Sequence, residues 1–200
     1  MLRRGYNRAM TSADSSHPAH PTAAGLHFIL GGARSGKSAY AEQLALNSGR
    51  AVSYLATARI GDREFAERVA LHQARRPAGW ALVEAPLDLA GALETAARRG
   101  DVVLVDCLTL WLVNLLCPPD SEAPLPDWQA RIDAFAGALE RTEAGVLIVS
   151  NEIGLGVVPM GALTRRYVDE LGRLNQRIAA LCDRVTLMVA GIPMAVKSPA

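Results

Sequence analysis

The chain has 200 residues, of which half are hydrophobic and a fifth are charged, and its formal net charge at pH 7 is +1. This composition is typical of a globular protein, and it excludes wholesale disorder and rod-like coiled coils. The near-neutral charge also disfavours a protein that coats nucleic acid, because such proteins are usually strongly basic.

Membrane segments and disulfides are equally unsupported by the sequence. No apolar run reaches the ~18 residues that a membrane-spanning helix needs. The chain has three cysteines and no CxxC pair, a pattern that favours reduced thiols over a disulfide framework or a zinc site. We therefore expect a cytoplasmic protein with no membrane span and no nucleic-acid partner.

The first 24 residues differ from the rest of the chain. They are rich in Ser, Ala, His and Pro and show no apolar periodicity, which is typical of a mobile tail. The sequence thus predicts two regions, a flexible N-terminal tail at 1–24 and a single domain at 25–200.

From residue 26 onward, short apolar runs alternate with longer runs of helical spacing. The predicted strands are His27–Leu30, Val52–Ala56, Trp80–Glu84, Val102–Asp106, Val146–Ser150 and Val185–Ala190, with Ala195–Lys197 as a further edge strand. The predicted helices are Lys37–Asn47, Arg63–Arg75, Leu87–Arg98, Leu108–Leu116, Trp128–Glu140 and Thr164–Cys182. This alternation predicts an α/β fold with a mainly parallel sheet and helices on both faces. Ligands of such sheets bind at the carboxyl ends of the strands, so the residues there are the candidate site.

The end of the first strand carries a phosphate-binding pattern. Residues 31–38 read GGARSGKS and fit G-x-x-x-x-G-K-[ST] between a strand and a helix. Glycines let backbone N–H groups approach phosphates closely, and the helix points its positive end at them. In this pattern Lys37 reaches the β- and γ-phosphates and Ser38 binds Mg²⁺. The predicted nucleotide-binding residues of the loop are Gly31, Gly32, Ala33, Arg34, Ser35, Gly36, Lys37 and Ser38.

Polar residues also follow two other strands. Asp106 ends an aliphatic strand, where an acid that holds Mg²⁺ is expected in nucleotide-binding proteins; the alternative is the N-cap of the next helix. Asn151 and Glu152 follow the strand at 146–150. They could orient a substrate or nucleotide, or cap the glycine-rich turn that follows, and the sequence favours neither role.

A basic helix face surrounds His72. Arg68 and Arg76 lie four residues to either side of it, and Arg75 lies three residues after it. Neighbouring cations disfavour imidazolium, and a neutral imidazole can attack phosphorus while arginines neutralise the phosphate oxygens. From the spacing alone, a solvated basic face with an incidental histidine is the more common explanation.

Several runs occur in order after the phosphate loop and together resemble one family. They are YLATA at 54–58, RVALH at 68–72, DCLT at 106–109, SNEIGLGVVP at 150–159 and GRLNQR at 172–177. The combination resembles the bifunctional adenosylcobinamide kinase / adenosylcobinamide-phosphate guanylyltransferase family over residues 26 to about 197.

The resemblance implies an enzyme of cobalamin biosynthesis with a RecA-like P-loop fold that assembles as a homotrimer. Its corrinoid substrate, adenosylcobinamide, would first be phosphorylated with ATP or GTP. GMP would then pass from GTP to that phosphate through a guanylylated histidine, here His72, and pyrophosphate would leave. Lys37 and His72 would be the catalytic residues.

The family's nucleotide contacts fall on five regions, of which the loop is one. Besides the loop, they are Ala56, Thr57, Ala58, Gln73, Ala74, Arg75, Arg76, Glu84 and Asp106. Because the position of Asp106 is Glu in some relatives, the resemblance leaves open whether this residue binds the metal or the nucleotide.

Three other functions compete with this hypothesis, and one of them is a nucleotide-sensing regulatory protein that performs no chemistry. The other two are enzymes. One is a small-molecule kinase without the second activity, against which His72 and its neighbouring arginines argue. The other is a RecA-like ATPase module, which the net charge of +1 makes a poor candidate for a nucleic-acid motor.

Overall fold

The computed structural model describes residues 25–59, 77–119, 121 and 123–199. The predicted tail at 1–24, the predicted helix at 63–75, His72 and Gln73–Arg76 lie outside these residues. The described part of the chain forms strands that alternate with helices along most of its length. The strands are β1 (Leu26–Gly31), β2 (Val52–Ala56), β3 (Ala81–Glu84), β4 (Val102–Asp106), β5 (Val146–Val149), β6 (Arg184–Val189) and β7 (Ile192–Lys197). The helices are α1 (Lys37–Asn47), α2 (Leu89–Arg98), α3 (Leu108–Leu116), α4 (Trp128–Arg141) and α5 (Ala162–Leu181).

The seven described strands form one sheet in the order β3-β2-β4-β5-β1-β6-β7. Every neighbouring pair is parallel except β6 and β7, which are antiparallel. This confirms the predicted α/β class with a mainly parallel sheet. In this order β5 lies between β4, which ends at Asp106, and β1, which leads into residues 31–38.

Side chains that alternate along the strands form a separate core on each face. One core packs Leu104, Leu147 and Val149 against α1, whose Ala41 and Leu44 are buried. The other core packs the intervening strand residues against helices α2, α3, α4 and α5. The sheet is thus covered on both faces, and α1 lies on the face opposite the other four described helices.

None of the described helices combines the length and apolar character that crossing a membrane requires. All three cysteines of the chain carry free thiols, as the sequence predicted.

Candidate functional site

The carboxyl ends of β1, β2, β3, β4 and β5 lie along one edge of the sheet, because these strands are parallel. This edge brings together the loop at 31–38, Ala56–Ala58, Glu84, Asp106 and the segment 150–152. The structure therefore collects on one edge every predicted site residue that it describes.

The loop at 31–38 requires glycine at two of its positions. Gly31 has φ 154° and Gly36 has φ 94°, backbone conformations that other residues rarely adopt. A Cβ on Gly31 would lie 2.6 Å from both the Met188 carbonyl oxygen and Ser35 Oγ. These contacts explain why this strand-to-helix connection is built from glycine.

The loop presents unpaired donors to the site. Arg34 has a left-handed φ of 56°, and a mixture of ordinary and left-handed backbone gathers N–H groups into an anion-binding concavity. The hydroxyl of Ser35 is buried and has no hydrogen-bond partner among the described residues. Helix α1 begins after Gly36, which supplies no side-chain cap, so its first N–H groups are free to bind an anion.

Lys37 lies in the centre of this loop with only 7% of its surface exposed. Its Nζ donates to the Gly32 carbonyl at 2.6 Å. Burial lowers the pKa of Lys37, while the nearby Asp106 carboxylate raises it. The Gly32 carbonyl is a neutral partner, and it is the hydrogen-bond acceptor that Lys37 has within the described part of the chain. A buried cation with such a partner is poorly compensated, and a phosphate anion would relieve this state.

Asp106 is held by a residue of the neighbouring strand. The Tyr54 hydroxyl donates to Asp106 Oδ2 at 2.7 Å, and the Tyr54 ring stacks on Trp80 with centroids 6.3 Å apart. The N-cap of α3 is Cys107 and not Asp106, and no side chain caps this helix. The N-cap alternative for Asp106 is therefore wrong, and its carboxylate faces the site.

The oxygen donors of this edge fit a magnesium ion. Ser38 supplies a hydroxyl and Asp106 supplies a carboxylate that Tyr54 orients, and Mg²⁺ prefers such hard ligands. The described residues contain no cluster of three or more His, Cys, Asp or Glu side chains that could form an all-protein cage. Mg²⁺ usually needs no such cage, because it binds through one or two protein ligands, substrate phosphates and water.

Thr57 joins the ends of β2 and β4. Its hydroxyl donates to the Cys107 carbonyl at 2.7 Å and accepts from the Cys107 N–H at 2.8 Å. Asn114 of α3 donates to the carbonyls of Thr57 and Pro86 and so fixes the segments that follow β2 and β3. These contacts are not visible in the sequence, because each joins residues 28 to 57 positions apart.

Glu84 lies farthest from the loop along the edge. Four strand spacings separate β3 from β1, which corresponds to roughly 19 Å. Glu84 is exposed at the end of this outer strand. A ligand whose phosphates occupy the loop would reach Glu84 only with its other end.

The two polar residues that follow β5, Asn151 and Glu152, have different roles. The Glu152 carboxylate accepts the N–H of Gly154 at 2.7 Å, so Glu152 caps the glycine-rich turn. Asn151 is fixed through its main chain, since its N–H donates to Thr109 Oγ1 and its carbonyl accepts from Asn175.

Comparison with known proteins identifies relatives that match most of this domain. Residues 27–196 match the family described as cobinamide kinase / cobinamide phosphate guanyltransferase. The chain is 54% identical over 169 residues to the bifunctional adenosylcobalamin biosynthesis protein CobP of Pseudomonas aeruginosa, covering 84% of this chain and 95% of that protein. It is 36% identical over 178 residues to the bifunctional adenosylcobalamin biosynthesis protein CobU of Escherichia coli, covering 84% and 98%.

Solved structures resemble the fold at much lower identity. A structure from Pyrococcus horikoshii, described as Project ID PH0250, is 9% identical with a TM-score of 0.51, covering 90% of this chain and 88% of its own. The RadB recombinase is 16% identical with a TM-score of 0.46, covering 82% and 73%. The strand order and the phosphate loop at the end of β1 confirm the predicted α/β P-loop fold, and the PH0250 structure resembles this chain in fold alone.

Proposed function

This chain belongs to the cobinamide kinase / cobinamide phosphate guanyltransferase family, and from that premise we propose how one nucleotide site performs both reactions. The kinase reaction transfers the γ-phosphoryl group of ATP or GTP to the hydroxyl of adenosylcobinamide. The transferase reaction moves GMP from GTP to the new phosphate and releases pyrophosphate. The buried Lys37 within an anion-binding loop, with Asp106 close to it, is the observation that carries this assignment.

The loop residues bind and orient the triphosphate in the kinase reaction. Lys37 neutralises charge that develops on the phosphate oxygens, and backbone N–H groups of the loop donate to the same oxygens. Ser38 and Asp106 would hold Mg²⁺. The bound ion would neutralise further charge on the phosphates. The hydrogen bond from Tyr54 keeps the Asp106 carboxylate oriented.

His72 is the proposed nucleophile of the transferase reaction. Its neutral imidazole nitrogen attacks the α-phosphorus of GTP, an N–P bond forms, the P–O bond to the β-phosphate breaks, and pyrophosphate leaves. The phosphate oxygen of adenosylcobinamide phosphate then attacks the same phosphorus and the N–P bond breaks. Arg75 and Arg76 would neutralise the phosphate oxygens during both steps.

A competing nucleophile at this edge is excluded by its burial. Cys107 directly follows Asp106, but burial raises the pKa of its thiol to about 12. The thiol therefore stays protonated near neutral pH, and only the thiolate is an effective nucleophile. This supports a nucleophile supplied by another residue, which we take to be His72.

The rest of the nucleotide would extend along the edge toward β3. Three strand spacings separate β1 from β2, or roughly 14 Å. The phosphates would occupy the loop, and the ribose and base would reach Ala56–Ala58 and Glu84. The hydroxyl of Thr57 is already paired with Cys107, so contacts at 56–58 would come from the neighbouring residues.

We further propose that residues 25–200 form a single catalytic domain, that three chains assemble, and that the enzyme works in the cytoplasm. The family match over residues 27–196 supports the first proposal. The free thiols support a reducing compartment.

The decisive test is a pair of assays on one His72→Ala preparation. We expect α-labelled GTP to leave no covalent label on this variant and GMP transfer to fall below detection. Phosphorylation of adenosylcobinamide from γ-labelled GTP should continue at a substantial fraction of the native rate, because Lys37, Ser38 and Asp106 remain. His20→Ala, a histidine substitution in the segment predicted to be a tail, serves as the matched control and should retain both activities.

Each failure of this test has a distinct meaning. Covalent GMP on the folded variant would show that the nucleophile is another residue. Native protein that phosphorylates adenosylcobinamide but never carries the α-label would be a kinase alone. Native protein that hydrolyses ATP without phosphorylating adenosylcobinamide would be an ATPase module.

A further inference from the structure

Asn151 follows the strand that lies between the phosphate loop and the strand of Asp106. It follows β5, which has β1 and the phosphate loop on one side and β4 with Asp106 on the other. Pairing to β1 continues beyond β5, because Ser150 N–H donates to the Ile29 carbonyl and Glu152 N–H donates to the Gly31 carbonyl. Residue 151 is therefore held beside the first residue of the loop.

Strand alternation assigns the Asn151 side chain to the face that carries Lys37. Leu147 and Val149 pack in the core on the α1 face, whereas Ile148 packs in the core on the other face. Ser150 continues the alternation, since its hydroxyl donates to Asn175 Oδ1 of α5. The next side chain belongs to the α1 face, because successive residues of an extended chain point to opposite sides.

The same alternation places Asp106 on this face. In β4, Val102 and Leu104 pack in the core against α1, and Asp106 is two residues further along. Tyr54 packs in the same core and donates to the Asp106 carboxylate, and Asp106 raises the pKa of Lys37, in agreement with this placement. Asn151 thus lies between Lys37 and Asp106, the two charged residues of the proposed phosphate site.

The Asn151 main chain is held by hydrogen bonds, whereas its side-chain amide makes none with the described residues. Thr109 Oγ1 lies 2.8 Å from the Asn151 N–H, and Asn175 Nδ2 lies 3.0 Å from the carbonyl. Among the described residues, no side-chain hydrogen bond of Asn151 occurs, although Glu152 beside it is used as a turn cap. An amide positioned so firmly without an internal partner is suited to a ligand.

We propose that Asn151 recognises the γ-phosphate of the bound nucleoside triphosphate, with its side-chain amide donating a hydrogen bond to a γ-phosphate oxygen. This inference rests on the proposed nucleotide site and adds a residue to it. The amide distinguishes a triphosphate from a diphosphate, because only the triphosphate extends to the space between the loop and Asp106. During phosphoryl transfer it would hold the group that moves in line with the acceptor hydroxyl.

The test compares two nucleotides that differ at the γ-position. Titration calorimetry measures Kd for GDP and for a GTP analogue with a β,γ-methylene bridge, in the presence of Mg²⁺. Asn151→Ala should weaken the analogue by about tenfold or more, the usual effect of losing a hydrogen bond to a charged group, and leave GDP unchanged. Asn151→Asp keeps the size of the side chain and replaces the donor with a charge that repels phosphate, so it should weaken the analogue further. Asn47→Ala, an exposed amide at the far end of α1, is the matched control and should change neither Kd.

The outcomes separate this inference from the proposed site. If native protein binds neither nucleotide, the proposed function fails. If native protein binds both, and Asn151→Ala preserves the ratio of the two Kd values, the inference is overturned, whether the affinities stay constant or fall together. Kinase assays give a second readout, in which kcat for Asn151→Ala should fall while KM for adenosylcobinamide stays constant.

Discussion

At the scale of single residues, Lys37 is the residue of the phosphate-loop motif to which we assign a catalytic role. Lys37→Met removes the charge and keeps an unbranched side chain in a position that is 7% exposed. The rate of adenosylcobinamide phosphorylation should fall by orders of magnitude, because a preorganised charge on the transferring phosphate is lost. The melting temperature should stay the same or rise, since burying a cation against the neutral Gly32 carbonyl costs folding free energy. Steady-state kinetics and thermal unfolding of one preparation measure both effects.

The chain offers one other lysine as a control for this prediction. Lys197 Nζ donates to the carbonyls of Ala179 and Ala180 at the end of α5, on the exposed surface. Lys197→Met should leave the kinase rate near the native value. Near-native turnover in the folded Lys37→Met variant would contradict the assignment of the loop.

His27 makes a prediction about acid stability that is independent of catalysis. It is 1% exposed, its Nε2 lies 2.8 Å from Thr186 Oγ1, and burial with the charge of Arg184 lowers its pKa to about 4. Because the folded pKa lies below the ordinary 6.5, the unfolded state binds the proton first as the pH falls. The free energy of unfolding should therefore decrease between pH 6.5 and 4, by about 3 kcal/mol from this residue.

Urea unfolding at several pH values checks this, with His27→Gln as the comparison. Glutamine retains an amide for Thr186 but does not titrate, so the variant should lose less stability over the same window. Parallel pH profiles for the two proteins would show that His27 does not titrate differently on folding. The carboxylates are common to both proteins and cancel in the comparison.

At the scale of elements, the sequence predicted most strands and helices closely because their apolar periodicity is local. The differences arise where a single contact sets a boundary. Helix α2 begins at Leu89 and not at Leu87, because the Asp88 side chain caps it by accepting the N–H of Gly91. Strand β7 begins at Ile192 and not at Ala195, because Gly191 and Ala190 form a tight turn with positive φ that pairs β7 with β6.

The site shows the same division between local and distant information. The phosphate loop and Asp106 could be predicted, since a strand, a glycine pattern and a strand-terminal acid are visible in short windows. The contact from Tyr54 to Asp106 joins residues 52 positions apart. The sequence around one of these residues therefore does not predict its contact with the other. For the same reason the sequence could not separate Asn151 from Glu152, whose roles depend on Thr109, Asn175 and the pairing with β1.

At the scale of the whole molecule, exposed apolar surface indicates where copies of the chain could meet. Strand β7 is at one edge of the sheet and all six of its residues are exposed. Ile192 and Met194 are 65% and 53% exposed. An open edge strand with apolar side chains promotes association unless another chain covers it. We expect this surface to form a subunit contact in the proposed assembly.

The last prediction tests that contact with two substitutions on one strand. Adjacent residues of β7 point to opposite faces, so Met194→Glu places a charge on the face that carries Ile192, and Ala195→Glu places the same charge on the opposite face. If the Met194 face is covered by a neighbouring chain, Met194→Glu buries an unpaired carboxylate there and should dissociate the assembly. Ala195→Glu should leave it intact, and the two variants have equal net charge. Sedimentation velocity at several protein concentrations measures the outcome. Native protein that sediments as a single chain would exclude the trimer, and a Met194→Glu variant that remains trimeric would place the contact elsewhere.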